Sequence, residues 1–122
     1  MSGSSNFAEF GFSSDILEAV NKKGFQKPTE VQQLAIPKLL QNANDLIVQA
    51  QTGTGKTAAF GLPIVQLIDD SSNDVQAIVL APTRELAVQV KDEIDSLCLG
   101  SNIRTVTIYG GQAIKTQFKA LK

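Results

Sequence analysis

Leu46-Ile47-Val48-Gln49-Ala50-Gln51-Thr52-Gly53-Thr54-Gly55-Lys56-Thr57 is the stretch on which the fold turns. The first five residues form a short apolar run after the turn residues Asn44-Asp45, the pattern of a strand buried in a parallel sheet. A Gly/Thr loop follows, then Lys56-Thr57 at the head of a helix. Strand, glycine loop and Lys-Thr in that order make a phosphate loop. A polyphosphate needs many donors at close range. Gly53 and Gly55 let the backbone of Gln51, Thr52, Gly53, Thr54 and Gly55 wrap so that its N–H groups point inward, and the next helix adds its positive N-terminal end. Lys56 can set a point charge on the outer phosphates. The Thr57 hydroxyl suits a magnesium ion that keeps most of its waters. The first position of the usual G-x-x-x-x-G-K-T is Ala50 here, small enough to keep the turn.

Outward from the loop, strand-like and helix-like segments alternate. Ala77-Ile78-Val79-Leu80-Ala81 is a second apolar run, and Thr105-Val106-Thr107-Ile108-Tyr109, ending at Gly110-Gly111, is a third. Between them Leu86, Val90, Ile94 and Leu97 recur at helical spacing, with Thr83 as N-cap. Upstream, a helix begins near Ser14 or Asp15, with Asp15 and Glu18 as a capping pair; Ile16, Leu17 and Val20 share its face and Gly24 closes it. Thr29 and Gln32 form a capping box for a second helix, whose last turns start at Pro37. Ile114, Phe118 and Leu121 give the end of the chain an amphipathic pattern. The alternation predicts an α/β fold with a parallel sheet of three strands and flanking helices.

The chain has 122 residues, 43% of them hydrophobic, which bounds it to one small domain or part of one. Eleven Lys and Arg stand against 12 Asp and Glu, so there is no global basic field and any nucleic-acid contact must be local. Histidine is absent, which removes Ser-His and Cys-His nucleophile pairs and His-ligated metals. Cys98, the one cysteine, excludes an internal disulfide and reads as a small buried apolar residue in a reducing compartment. No apolar run approaches the roughly 20 residues of a membrane span, and the first residues lack a signal-peptide layout, so the expected location is cytoplasmic.

Phe7, Gly24-Phe25, Pro28-Thr29 and Gln32 resemble the Q motif of DEAD-box RNA helicases. Ala81-Pro82-Thr83-Arg84-Glu85-Leu86-Ala87 resembles that family's motif Ia, and Gly110-Gly111 its GG motif. The resemblance runs from Phe7 to Lys122. It implies a RecA-like first domain that binds ATP with Mg2+ and contacts RNA without reading its sequence. By resemblance the Gln32 amide reads adenine through a paired donor and acceptor, Phe25 packs on the adenine face, Phe7 supports the far side of that pocket, and Thr29 ties the segment to the phosphate loop. Pro82, Thr83, Arg84, Gly110 and Gly111 would meet the RNA sugar-phosphate backbone; the two glycines admit it closely. Each has a plainer reading: a helix cap for Gln32 and Thr83, core aromatics for Phe7 and Phe25, an ion pair with Glu85 or Asp92 for Arg84, and a simple turn for the glycine pair. Lys115, Lys119 and Lys122 read as a solvated face.

The expected organisation is a tag-like or disordered start over residues 1–6, a Q-motif region over 7–33, and part of a RecA-like ATP-binding domain over 34–122. The Asp-Glu-Ala-Asp segment of the family is not among these residues. Lys56 and Thr57 are the candidate catalytic residues of the parent enzyme, yet the chain alone is expected to lack ATPase and unwinding activity, because phosphoryl transfer rests on positioning and charge stabilisation. In the strand order the resemblance implies, strands from later sequence lie between those present, so self-association through exposed sheet edges is expected. Two rival classes are a P-loop enzyme with no nucleic-acid role, such as a small-molecule kinase, and a short non-catalytic binding module.

Overall fold

The computed structural model describes residues 7–41, 45–51, 55–98, 100–111 and 114–121. The start at residues 1–6, the loop residues Thr52, Gly53 and Thr54, the turn residue Asn44 and Lys122 lie outside them. A single 3-10 turn, Phe7–Phe10, precedes five helices: α1 (Ser14–Lys22), α2 (Glu30–Gln41), α3 (Lys56–Leu67), α4 (Arg84–Leu97) and α5 (Ile114–Leu121).

Helix α3 is apolar nearly all round, and a helix of that kind belongs in the interior. Ala58, Ala59, Gly61, Leu62, Pro63 and Val65 are all buried, with α2 packed on one side and α4 on the other. Gly61 marks the closest approach to α4: a Cβ there would stand 3.3 Å from Leu97 Cδ1 and 3.5 Å from Ile94 Cγ1. Helix α1 and the Phe7 turn close the end of this layer, so that Phe7, Phe12, Ile16, Val20, Ile36, Leu62, Ile94 and Leu97 share one core. A smaller cluster of Val31, Ala35 and Ala59 is covered by Leu39, Leu46 and Ala50. Both helices with an internal proline, α2 at Pro37 and α3 at Pro63, run on through it.

The helix signals are local and hold. The start of α1 departs from expectation: Ser13 caps it, its hydroxyl accepting from Ile16 N–H at 3.4 Å, two residues before Asp15 and in place of the Asp15–Glu18 pair. Gly24 closes α1 at φ 80°. Its N–H donates to the Asn21 carbonyl at 3.0 Å and the Phe25 N–H to the Val20 carbonyl at 3.2 Å, the paired bonds of a Schellman ending. Thr83 caps α4 by accepting from Leu86 N–H at 3.1 Å.

The expected sheet does not form. Among the described residues there are helices and turns and no strand, which corrects the α/β expectation. Residues 46–50, 77–81 and 105–109 are irregular backbone, and no backbone hydrogen bond joins any two of them among the described residues. A strand exists only through its ladder. Without a neighbour the apolar side chains stand in solvent: Ile47 is 98% exposed, Leu80 91% and Ile78 79%. The apolar positions of α5 behave likewise, with Ile114 and Phe118 exposed while Gln117 is buried. Lys115 and Lys119 are exposed, as a solvated face requires.

Candidate nucleotide and RNA site

The end of α1 sets the first wall. Because Gly24 takes the left-handed conformation, the chain reverses and lays Phe25 against Phe7, the rings stacked at 6.2 Å between centroids and 24° between planes. Phe10 meets Phe7 edge-on at 6.1 Å. Phe7 is buried in the core, and Phe25 is half-buried and packed against it. Lys23 grips this wall from α4's side. Its Nζ donates to Glu93 Oε1 at 2.6 Å and to Ser96 Oγ at 2.8 Å, and lies 5.5 Å from the centre of the Phe25 ring.

Thr29 and Gln32 form the capping box in full. Thr29 N–H donates to Gln32 Oε1 at 2.9 Å, and Gln32 N–H donates to Thr29 Oγ1 at 3.4 Å. The other end of the same amide reaches across the chain: Gln32 Nε2 donates to the Gly55 carbonyl at 3.2 Å. Gln32 is 2% exposed. Gly55, at φ 84°, is the N-cap of α3. A Cβ on it would fall 2.4 Å from Gln32 Nε2 and 3.3 Å from Thr29 Cγ2. The link between the Q-motif segment and the phosphate loop is thus made by the Gln32 amide, while the Thr29 hydroxyl is used in the cap. An amide has two N–H donors and two acceptor sites, and among the described residues one of each is taken.

Lys56 and Thr57 are the first two residues of α3, Lys56 exposed and Thr57 half-buried. Gln51 is exposed at the entry to the loop. Unpaired N–H groups and the helix dipole gather at such an N-terminus. Among the described residues no group of three or more Cys, Asp or Glu could hold a metal by itself.

The second set of candidates gathers at the start of α4. Pro82, Thr83 and Arg84 are exposed. The Arg84 guanidinium lies 5.4 Å from the centre of the Tyr109 ring, so its described contact is with that aromatic face and not with Glu85 or Asp92. Gly111 adjoins it: at φ 88°, a Cβ on Gly111 would be 3.9 Å from Arg84 Nη1. Tyr109 N–H donates to Oε1 of the buried Gln117 at 2.9 Å, which fastens the Gly110-Gly111 turn to α5. Lys23, Tyr109 and Gln117 were not singled out by sequence. A lysine in a helix's last turn and an aromatic before a glycine turn are both ordinary, and only tertiary contact distinguishes them.

A family profile described as DEAD/DEAH box helicase matches residues 29–122, most of the chain, and the chain belongs to that family. A probable ATP-dependent RNA helicase of Methanocaldococcus jannaschii is 49% identical over 117 residues, covering 96% of this chain and 32% of that protein. The DEAD-box ATP-dependent RNA helicase CshA of Bacillus subtilis is 50% identical over 116 residues, covering 95% of this chain and 23% of that one. Among solved structures, a DEAD box protein from the hyperthermophile Methanococcus jannaschii superposes with a TM-score of 0.93 at 47% identity, over 97% of this chain and 32% of that chain. Saccharomyces cerevisiae Dbp5 bound to RNA and ADP BeF3 gives a TM-score of 0.78 at 38% identity, over 81% of this chain and 26% of the other. Prp28 of Chaetomium thermophilum bound to ADP gives 0.81 at 41%, over 95% and 29%. The chain therefore spans about a third or less of the length of these relatives.

Proposed function

We propose that this chain is the adenine-nucleotide-binding part of an ATP-dependent RNA helicase. The observation that carries the reading is the Gln32 amide, which is held by the Thr29 cap and bonded to the Gly55 carbonyl at 3.2 Å. The residue assigned to adenine and the loop assigned to phosphates are one hydrogen-bonded unit. A generic phosphate-binding enzyme has no need of that coupling. Phe25 supplies an apolar face for the base, supported behind by Phe7. Lys56 supplies charge to the β and γ phosphates, and Gln51, Thr52, Gly53, Thr54 and Gly55 are assigned to the same phosphates by their place in the motif. Magnesium would enter with the nucleotide, because the hard hydroxyl oxygen of Thr57 suits it and phosphates and water complete its shell. When bound, that ion neutralises phosphate charge. The ADP-bound Prp28 and the Dbp5 complex with RNA and ADP BeF3 are consistent with both ligands.

RNA would cross the start of α4, where Pro82, Thr83, Arg84, Gly110 and Gly111 lie together. Contacts of this type go to the sugar-phosphate backbone and fix position without specifying sequence. The parent protein would couple ATP hydrolysis to RNA remodelling, and this stretch by itself would bind without turning over. A cytoplasmic location fits the single buried thiol of Cys98, and among the described residues no helix is long and apolar enough to cross a membrane. The bare apolar runs around Ile47 and Leu80 favour association between copies; sedimentation at increasing concentration, with a purely monomeric profile throughout, would count against it.

The test is a titration with fluorescent ADP and magnesium, competed by unlabelled ATP, ADP, GTP and GDP, on the protein and on Gln32→Ala and Lys56→Ala. Competition by adenine nucleotides alone, lost in Lys56→Ala and made indifferent to the base in Gln32→Ala, is the expected result. Equal competition by guanine nucleotides against the unaltered protein overturns the adenine assignment.

A further inference from the structure

Arg84 and Gly111 come from segments far apart in sequence and adjoin in space, with the ring of Tyr109 beside the Arg84 guanidinium. We propose that Tyr109 is a positioning residue for RNA: it holds the Arg84 guanidinium over its ring, so that the N–H groups are presented to a phosphate passing over Gly110-Gly111. The inference rests on the RNA reading of this surface and adds to it a residue that touches Arg84 and not necessarily RNA.

Three observations support it. The guanidinium carbon is 5.4 Å from the ring centroid, within the roughly 6 Å over which a cation is drawn to an aromatic face. A cation held over a ring by its charge spends no hydrogen bond, so the forked N–H donors of the guanidinium stay available to a phosphate. An exposed arginine otherwise spreads over many rotamers, and a phosphate would have to collect it from them. Second, the backbone that carries the ring is held. Tyr109 N–H donates to Gln117 Oε1 at 2.9 Å, and Gln117 is 8% exposed. Third, Gly111 brings no side chain against the guanidinium, where a Cβ would sit 3.9 Å from Nη1. A rigid cation beside a backbone with no side chain is an approach path for another backbone.

The experiment measures binding of a fluorescent single-stranded oligouridylate to the protein over a series of salt concentrations, for Arg84→Ala, Arg84→Lys, Tyr109→Leu, Tyr109→Phe and the double variant Arg84→Ala/Tyr109→Leu. Arg84→Ala should weaken binding and reduce the salt slope by about 0.7, the value for one phosphate contact on a single strand. Tyr109→Leu should weaken binding about two- to five-fold, the range of an exposed cation–π contact. Tyr109→Phe should retain the binding, and Arg84→Lys, which keeps charge and loses the plane, should fall with Tyr109→Leu. In the Arg84→Ala background, Tyr109→Leu should change nothing further. A Tyr109→Leu effect of the same size in both backgrounds, or no effect while Arg84→Ala weakens binding, overturns the positioning role. Arg84→Ala with unchanged affinity and salt slope overturns the RNA reading itself, so the two failures are distinct.

Discussion

Gly55→Ala tests the joint between the Q-motif segment and the phosphate loop without any ligand present. Two separate penalties meet at this position. The backbone sits at φ 84°, where an L side chain costs about 1–2 kcal/mol. The new methyl would also lie 2.4 Å from Gln32 Nε2, a separation no real pair adopts. The amide is the end of a flexible chain, but it is 2% exposed and bonded at both ends, so it cannot swing aside without giving up the Thr29 cap. Losing a cap of that kind costs about 1 kcal/mol. The total is about 2–3 kcal/mol, a large part of the stability of a domain this size. Urea unfolding followed by far-UV circular dichroism reads it directly. In a Gln32→Ala background the severe clash is gone, the 3.3 Å approach to Thr29 Cγ2 is a small remainder, and the cost of Gly55→Ala should drop to about 1–2 kcal/mol, set by the backbone. Equal costs in the two backgrounds, within the roughly 0.3–0.5 kcal/mol of ordinary additivity, would refute the contact and with it the reasoning that the two motifs are mechanically joined here.

Other outcomes follow from the same contacts. Thr83→Ala should destabilise by about 1 kcal/mol in thermal or urea unfolding, and Thr83→Ser should recover most of it, because the hydroxyl bond to Leu86 N–H is what is lost. Gly61→Val should cost about 1–3 kcal/mol through overpacking against Leu97 and Ile94, whereas Gly61→Ala should be far milder because helix propensity offsets the tight 3.3 Å contact, and a scan of unfolding midpoints separates them. Burial, with the Asp95 carboxylate second, pushes the Cys98 thiol up. The folded chain then holds that proton at a pH where the unfolded chain has released it, so stability should fall as pH rises past about 8.5, and Cys98→Ala should remove that slope. Native Cys98 should also react with iodoacetamide much more slowly than the unfolded chain, as mass spectrometry would read.

The helices and their ends were legible in sequence because their causes are local. Thr83 and Leu86, Thr29 and Gln32, and Gly24 with Phe25 each act within a few residues, and the structure uses each as the spacing predicts. Of the glycine loop the structure describes Gly55, which was read for its backbone freedom and not for its contact with Gln32. The sheet was not legible. An apolar run such as residues 77–81 says that its side chains favour burial and says nothing about what backbone lies alongside. Ile78 and Leu80 therefore stand in solvent, and the α/β expectation fails on a non-local term. Arg84 shows the same limit on a smaller scale: nearby acids were natural partners by sequence distance, and the ring of Tyr109 took the guanidinium instead. Lys23 carried no signal at all until α4 placed Glu93 and Ser96 beside it.

The layer in which α3 packs on α2 and α4 also bears on the order of events during folding. Its main contacts join helices adjacent in the chain, and contacts between near neighbours close small loops and form quickly. On a ribosome, which releases the N-terminus first, α1 to α4 can settle as soon as they emerge. The runs around Ile47 and Leu80 bury little until other backbone reaches them. Synthesis would thus pass through an interval in which a formed helical platform displays open apolar chain, the period in which a chaperone that binds such segments would have its longest hold on this protein.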